Sequence, residues 1–162
     1  MTCFSPKHLA FFENARLLQS ELGIVPLMYG SLGLEYLTGQ NLCADDVDIL
    51  IPRRFLQKQW PQFKALMTSD GYTLTDEHEH AFEKEGIEYA YAQLEELEDF
   101  AGISPTELLP CKQADTSFLL LTLEQYLKVY TASAEDGYRA NVKNKQDGEK
   151  IRLIEALLKN EK

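Results

Sequence analysis

A short apolar run ends at a glycine and a serine in the stretch Ile24-Val25-Pro26-Leu27-Met28-Tyr29-Gly30-Ser31. The residues that follow, Leu34-Glu35-Tyr36-Leu37, continue in a helical pattern, so the stretch predicts a strand that breaks at Gly30 and opens a helix. Backbone N–H groups in the first turn of a helix have no partners within it and are suited to bind anions. The Gly30-Ser31 turn therefore predicts a cradle for a phosphate group.

A second apolar run follows in the stretch Asp46-Val47-Asp48-Ile49-Leu50-Ile51-Pro52. The two-residue period of a strand places Asp46 and Asp48 on one face and the apolar side chains of Val47, Ile49 and Ile51 on the other. Taken alone, such a pair of acids is also typical of a solvated strand edge that blocks pairing with other chains. After a predicted phosphate cradle, the two carboxylates instead indicate a site for a divalent cation.

In this order, Tyr29-Gly30-Ser31 and Asp46-Val47-Asp48-Ile49 resemble the signature of the polymerase-beta-like nucleotidyltransferase superfamily, especially its small antibiotic-modifying and minimal members. The resemblance is closest over residues 24–52. It implies an α+β fold in which a mixed β-sheet is flanked by helices, with further helices at the C-terminus. It also implies that Gly30 and Ser31 hold the triphosphate of an NTP and that Asp46 and Asp48 hold Mg²⁺. The 14 residues between Ser31 and Asp46 are a generous separation for this family and predict a lengthened helix-to-strand loop.

The resemblance also implies a third acid on a later strand, and Glu88 is the candidate. Strand alternation sets Glu88 on the face opposite Ile87 and Tyr89, beside small alanines. This position usually holds aspartate in the family, and the alternative is an exposed glutamate on a half-buried strand. Glu77 and Glu79 are weaker candidates for the same role.

A basic cluster stands out near the C-terminus of this acidic chain: Arg139, Lys143 and Lys145 precede a helix predicted to start near Asp147. Small nucleotidyltransferases often have a similar basic entry into their last helix, where a lysine approaches the nucleotide. The resemblance therefore implies that these three cations bind the nucleotide. The alternative is a charged surface turn with Asp147 as the helix N-cap.

Periodicity predicts the remaining elements. A first helix is expected from Pro6 to Leu22 with Gly23 as its stop, and helical pattern returns over residues 53–69 with a break at Pro61. We expect two strands, Tyr72–Lys84 and Ile87–Gln93, joined as a hairpin by Glu85-Gly86. The residues from Leu108 to Leu121 are consistent with edge strands or a returning loop, and Thr122 with Gln125 predicts a capping box that opens a helix. His78 and His80 would lie on one strand face, where solvent-facing polar residues are a simpler interpretation than a metal half-site.

Composition predicts a cytoplasmic protein. With 162 residues, 44% of them hydrophobic, the chain can bury one core. We expect a nucleotidyltransferase-like core over residues 1–100 and a mainly helical C-terminal extension over residues 101–162, or one single domain. No apolar stretch approaches the ~20 residues of a membrane span, and the N-terminus lacks a secretory pattern. Cys3, Cys43 and Cys111 are odd in number and widely spaced, which predicts reduced thiols.

The net charge of −10 opposes binding of nucleic acid polymers, whose phosphates it would repel on average. Three hypotheses follow. The first is an active, Mg²⁺-dependent nucleotidyltransferase that transfers a nucleoside monophosphate from an NTP such as ATP to a hydroxyl of a small molecule or protein. The second is a catalytically inactive domain of the same fold that binds a nucleotide or a partner. The third is an unrelated α/β domain in which both motifs are accidental.

Overall fold

The computed structural model describes the backbone of residues 5–135 and 137–160 and the side chains of residues 5–133 and 148–160. Its helices are α1 (Pro6–Leu22), α2 (Gly30–Thr38), α3 (Trp60–Ser69), α4 (Glu96–Ala101), α5 (Leu123–Glu135) and α6 (Gly137–Asn160). Its strands are β1 (Leu27–Tyr29), β2 (Val47–Ile51), β3 (Thr73–Asp76), β4 (Ala81–Lys84), β5 (Ile87–Gln93), β6 (Leu109–Gln113) and β7 (Thr116–Leu120). Short 3-10 helices span Arg53–Leu56 and Pro105–Glu107.

In the described part of the chain, these seven strands form one mixed sheet in the order β3-β4-β5-β2-β1-β7-β6. The centre of the sheet combines antiparallel pairing of β1 with β2 and parallel pairing of β2 with β5 and of β1 with β7. The outer strands β3, β4 and β6 pair antiparallel with their neighbours. The fold class is therefore the predicted α+β arrangement, a mixed sheet with flanking and C-terminal helices.

Each face of the sheet has its own hydrophobic core. Val47, Ile49 and Ile51 point into the larger core, together with apolar residues of α1 and α3. Leu50, on the opposite face of β2, belongs to a second core with Tyr126 of α5 and Ile154 of α6. Strand β2 therefore has apolar residues on both faces at its C-terminal end, whereas acids lie near its N-terminal end.

Several local predictions agree with the structure. Helix α1 has the predicted bounds, and Gly23 ends it in the left-handed conformation with φ of 67°. The hairpin between β4 and β5 turns at Glu85-Gly86, where both φ angles are positive. At the start of α5, the Thr122 hydroxyl accepts from the Gln125 amide N–H and the Gln125 side chain accepts from the Thr122 N–H. Local sequence was sufficient to predict these features, because each motif provides hydrogen-bond partners for its own backbone groups.

The prediction of one strand from Tyr72 to Lys84 was wrong. The chain forms β3 and β4, which pair antiparallel around a polar turn at residues 77–80. The Asp76 carboxylate accepts from the Glu79 N–H, and His80 has a φ of 52°, so the polar residues close a turn rather than extend a strand. His78 and His80 therefore lie in a turn and not on one strand face.

Two C-terminal predictions also need correction. The last helix does not start near Asp147 but at Gly137, because the segment that precedes Asp147 contains no proline and continues the helix. Of the two strands between Leu108 and Leu121, only β6 lies at the edge of the sheet, whereas β7 pairs with β1 on its inner side.

Among the described residues, none of the helices combines the length and apolar character needed to cross a bilayer.

Candidate active site

The Gly30-Ser31 turn lies where β1 ends and α2 begins, as the sequence predicts. Gly30 is the first residue of α2 and has a φ of 64°, a left-handed conformation that favours glycine. Ser31 is half-buried in the first turn of the helix. The first-turn amides of α2 and the Ser31 hydroxyl therefore belong to a helix N-terminus that directly follows a central strand, a location suited to bind an anion.

The Asp48 carboxylate lies directly against this turn. Asp48 pairs with Tyr29 across the antiparallel β1–β2 ladder, one residue before Gly30. A Cβ atom added to Gly30 would stand 2.7 Å from Oδ2 of Asp48, closer than real Cβ contacts occur. Glycine is therefore favoured at position 30 for two independent reasons, the left-handed backbone and the space that the carboxylate occupies.

The three predicted acids are arranged along two neighbouring strands. Asp46 lies in a bend just before β2 and Asp48 lies within the strand, and both are half-buried. On the parallel strand β5, the residue paired with Asp48 is Ala90. Glu88 precedes Tyr89, the partner of Val47, so it shares the sheet face of Asp48 and lies at the end of the β2–β5 ladder that Asp46 precedes.

Glu88 is exposed and pairs across β4–β5 with Glu83. Within the residues that the structure describes, there is no group of three or more His, Cys, Asp or Glu side chains placed to hold a metal ion. The predicted pair Asp46 and Asp48 is thus a two-carboxylate donor set with Glu88 on the same face. Such a set fits Mg²⁺, which binds through one or two carboxylates and completes its shell with water and substrate phosphates.

Lys150, a cation that was not among the predicted site residues, lies at the turn. The Lys150 ammonium on α6 donates to the Ser31 hydroxyl oxygen at 2.8 Å and lies 5.2 Å from the centroid of the Tyr130 ring. A signal for it existed: Lys150 stands four residues before Ile154 and seven before Leu157, on the apolar stripe of the last helix. A lysine on a buried helix stripe directs its ammonium along that stripe to a polar target.

The predicted basic cluster lies elsewhere on the same helix. Arg139, Lys143 and Lys145 belong to the backbone span of α6, and their side chains lie outside the described residues. Whether they contact a nucleotide therefore stays a prediction.

Two tyrosines of α5 connect the C-terminal helices to the turn. The Tyr126 hydroxyl donates to the Gly30 carbonyl oxygen at 3.0 Å, and its ring stacks on that of Tyr130, with centroids 5.8 Å apart. Burial, followed by the neighbouring Tyr130, Tyr29 and Asp48, raises the pKa of Tyr126 well above its ordinary value. The hydroxyl therefore keeps its proton and stays a hydrogen-bond donor to Gly30.

Gly33 allows this approach. A Cβ at Gly33 would collide with the Met28 carbonyl oxygen and the Tyr126 hydroxyl. The absence of a side chain at position 33 thus lets α2 pack on the end of β1 while α5 reaches the turn. Tyr126 and Gly33 therefore hold α5, α2 and β1 close together around the turn.

Comparisons with known proteins agree with this architecture. No protein-family model matches the chain. The uncharacterized protein YnaI of Bacillus subtilis (strain 168) is 39% identical over 150 residues, which cover 93% of this chain and 96% of YnaI.

Two solved structures share the fold. An antigenic nucleotidyltransferase-like protein from Paracoccidioides brasiliensis superposes with a TM-score of 0.65 at 17% identity, covering 94% of this chain and 77% of that one. The antibiotic-resistance factor ANT(2'')-Ia, whose solution structure is described as having substrate-regulated conformation dynamics, superposes with a TM-score of 0.52 at 11% identity, covering 95% and 92%. At these identities, the likeness shows a nucleotidyltransferase-like fold.

Proposed function

From the premise that this chain belongs to the same family as B. subtilis YnaI and has a nucleotidyltransferase-like fold, we propose that it is an Mg²⁺-dependent nucleotidyltransferase. It would transfer a nucleoside monophosphate from an NTP to a hydroxyl of a small molecule or protein. The observation that carries the proposal is the convergence of three groups at the N-terminus of α2: the Gly30-Ser31 turn, the Asp48 carboxylate packed against it and the Lys150 ammonium on Ser31.

Each group has a distinct role in this proposal. The α2 amides, the Ser31 hydroxyl and the Lys150 ammonium bind the triphosphate, because they supply hydrogen-bond donors and positive charge at one point. Asp46 and Asp48 would hold Mg²⁺, which would supply positive charge to offset the negative charge that develops on the phosphates. The packing of Asp48 against the turn supports this arrangement, because a metal held by Asp48 would lie near phosphates bound at the turn.

Glu88 is the proposed general base. Its place on the sheet face of Asp48, at the end of the β2–β5 ladder, would let it approach an acceptor that enters from the exposed side of β5. It would accept the proton of the attacking hydroxyl as the oxygen bonds to the α-phosphorus, and pyrophosphate leaves. A glutamate side chain is longer than the aspartate that is usual at this position in the nucleotidyltransferase superfamily. Glu88 would therefore reach the attacking hydroxyl from an exposed position.

A second function is favoured by one specific observation. The position on β5 beside Asp48 is occupied by Ala90, and the described residues contain no group of three acids placed to hold a metal. A site with two carboxylates and no acid beside Asp48 fits a domain that binds Mg²⁺ and an NTP without transferring the nucleotide. Turnover distinguishes this binding function from the enzyme.

The first experiment measures binding. The melting temperature of the protein is followed with each of the four NTPs, with and without Mg²⁺. A ligand at ~100 times its dissociation constant stabilises the folded state by about 2.7 kcal/mol. That corresponds to a rise of roughly 5–11 °C for a domain of this size. We expect this rise only when Mg²⁺ and the NTP are both present, because the cation attracts the triphosphate to the two carboxylates.

The matched variants are Asp46→Asn with Asp48→Asn, and Asp45→Asn as a control that removes a neighbouring exposed charge. The double variant should lose the joint response to Mg²⁺ and NTP, while its melting temperature without ligand stays equal to or rises above that of the wild type, since two like charges no longer repel. Asp45→Asn should respond like the wild type. An identical response of all three proteins would refute the metal site.

Turnover is tested with NTP labelled at the α-phosphate and a pyrophosphate assay, using small hydroxyl compounds and the protein's own side chains as acceptors. Label transfer that is lost in Glu88→Gln, with NTP binding retained, supports the enzyme and its base. Binding without pyrophosphate release in any of these reactions supports the binding domain.

A further inference from the structure

Glu35 is a buried acid on α2 that the proposed chemistry does not use. The residue is 8% exposed, and it lies one helical turn beyond the Gly30-Ser31 turn. A buried carboxylate is costly unless it is hydrogen-bonded, so its partners indicate why the chain retains an acid here. Those partners lie in the loop that leads from α2 to Asp46.

The Glu35 carboxylate binds two backbone amides of this loop through one oxygen. Oε2 accepts from the Leu42 N–H at 2.8 Å and from the Ala44 N–H at 3.1 Å. Between them, Cys43 has a φ of 55°, and this left-handed residue lets the two amides point to the same side. Alternate N–H groups that converge in this way form an anion-binding nest, and the anion in this nest is the chain's own carboxylate.

His8 supports the other side of the carboxylate. The imidazole is 7% exposed, and its Nε2 lies 3.9 Å from Oε1 of Glu35 and 3.2 Å from the Leu32 carbonyl oxygen. Its Nδ1 accepts from the Ser5 backbone N–H, so the ring proton lies on Nε2 and faces Leu32 and Glu35. Helix α1 therefore helps to hold Glu35 in the orientation that binds the loop.

The loop matters because Asp46 is two residues beyond Ala44. Helix α2 ends at Thr38 with Gly39 as its C-cap, and the connection to β2 has no helix or strand of its own. A metal ligand at the end of such a loop must be ordered when the cation binds, which weakens binding unless the loop is already fixed. The two Glu35 hydrogen bonds supply that fixation between Gly39 and Asp46.

We propose that Glu35 is a positioning residue, which orders the 42–44 backbone and thereby holds Asp46 in place to bind Mg²⁺. This assignment rests on the proposed function. It explains how the family's metal pair is kept in register across an unusually long connection between Ser31 and Asp46. The carboxylate of Glu35 acts only through the loop and is not itself a ligand of the metal or the nucleotide.

The test compares Glu35→Ala with Thr38→Ala, a control on the same helix whose hydroxyl accepts from the Gln40 N–H at the start of the same loop. The Mg²⁺ concentration for half-saturation is measured by melting-temperature titration, at a saturating concentration of whichever NTP shifts the wild type most. Loss of a residue that orients a metal ligand typically weakens metal binding 10- to 100-fold, so we expect at least a ~10-fold rise for Glu35→Ala. Thr38→Ala should match the wild type.

Two further measurements separate positioning from mere structural support. In an Asp46→Asn background, Glu35→Ala should no longer change the Mg²⁺ half-saturation, although it should still lower the melting temperature. Glu35→Gln should recover much of the wild-type Mg²⁺ affinity, because its amide oxygen still accepts from both loop N–H groups. Hydrogen exchange at the Leu42 and Ala44 amides should accelerate in Glu35→Ala and not in Thr38→Ala.

The possible failures are distinguishable. A wild type that does not respond to Mg²⁺ with any NTP refutes the proposed function and this assignment with it. A wild type that responds, together with a Glu35→Ala variant that melts lower but keeps the wild-type Mg²⁺ half-saturation, overturns the assignment alone. Unchanged exchange at residues 42 and 44 in Glu35→Ala also overturns it.

Discussion

Substituting Gly30 by alanine tests the geometry on which the candidate site rests. Two costs add at this position. An L-residue at a φ of 64° is strained by about 1–2 kcal/mol. The new Cβ would also stand 2.7 Å from Oδ2 of Asp48. The carboxylate must then rotate away, at roughly 0.5–1.5 kcal/mol for a displaced side chain.

Gly23 provides a matched control, because it has nearly the same φ of 67° and a Cβ there would meet no atom within 4 Å. Gly23→Ala should therefore cost only the backbone term, a loss of about 2–8 °C in melting temperature at 2–4 °C per kcal/mol. Gly30→Ala should melt about 1–6 °C lower still because of the contact with Asp48. The lower entropy of the unfolded alanine chain offsets both variants equally and cancels from the comparison.

The assay is a double-mutant cycle with Asp48→Ala, read by melting temperature and by Mg²⁺-dependent NTP binding. Without the carboxylate, the stability difference between Gly30→Ala and Gly23→Ala should disappear. In the Asp48 background, Gly30→Ala should lose Mg²⁺-dependent binding, whereas Gly23→Ala should keep it. Equal melting temperatures and intact binding in both glycine variants would refute the packing of Asp48 on the turn.

Two further outcomes are expected. Lys150→Met should weaken NTP binding about 10- to 150-fold by calorimetry, since a hydrogen bond to a charged group contributes roughly 1.5–3 kcal/mol. The control Lys159→Met, at the end of the same helix, should bind the NTP as the wild type does. Equal affinities of the two variants would show that Lys150 is not part of the site. Burial raises the pKa of Tyr91 and of Tyr126 well above the ordinary value of 10.0. The contribution of these two tyrosines to folding stability is complete below pH ~10 and is lost as pH rises further, because the unfolded chain then releases protons that the folded protein keeps. Above pH ~10 the free energy of unfolding should fall by up to about 1.4 kcal/mol per pH unit for each tyrosine. Tyr91→Phe should make this dependence on pH less steep. An unchanged dependence would contradict the raised pKa of Tyr91.

Local sequence patterns predicted those elements whose stabilising contacts are near in sequence. Helix α1 and strand β5 have the predicted bounds, since a capped amphipathic helix and an alternating strand after a tight turn are determined within a few residues. The turn at residues 77–80 was missed because a polar run between two β-forming segments gives no period. Its closure depends on the Asp76 side chain and on antiparallel pairing of β3 with β4.

The candidate site divides in the same way. The Gly30-Ser31 turn and the place of Asp48 on β2 could be predicted from local sequence, because both follow from backbone geometry over a few residues. Only the tertiary structure brought Lys150 to Ser31 across 119 positions and Tyr126 to Gly30 across 96, and it set Ala90 rather than an acid beside Asp48. Those contacts depend on how α5 and α6 pack on the sheet and on the register of β5 against β2. Many weak apolar contacts together decide this packing and register, so local sequence does not specify which distant residues meet.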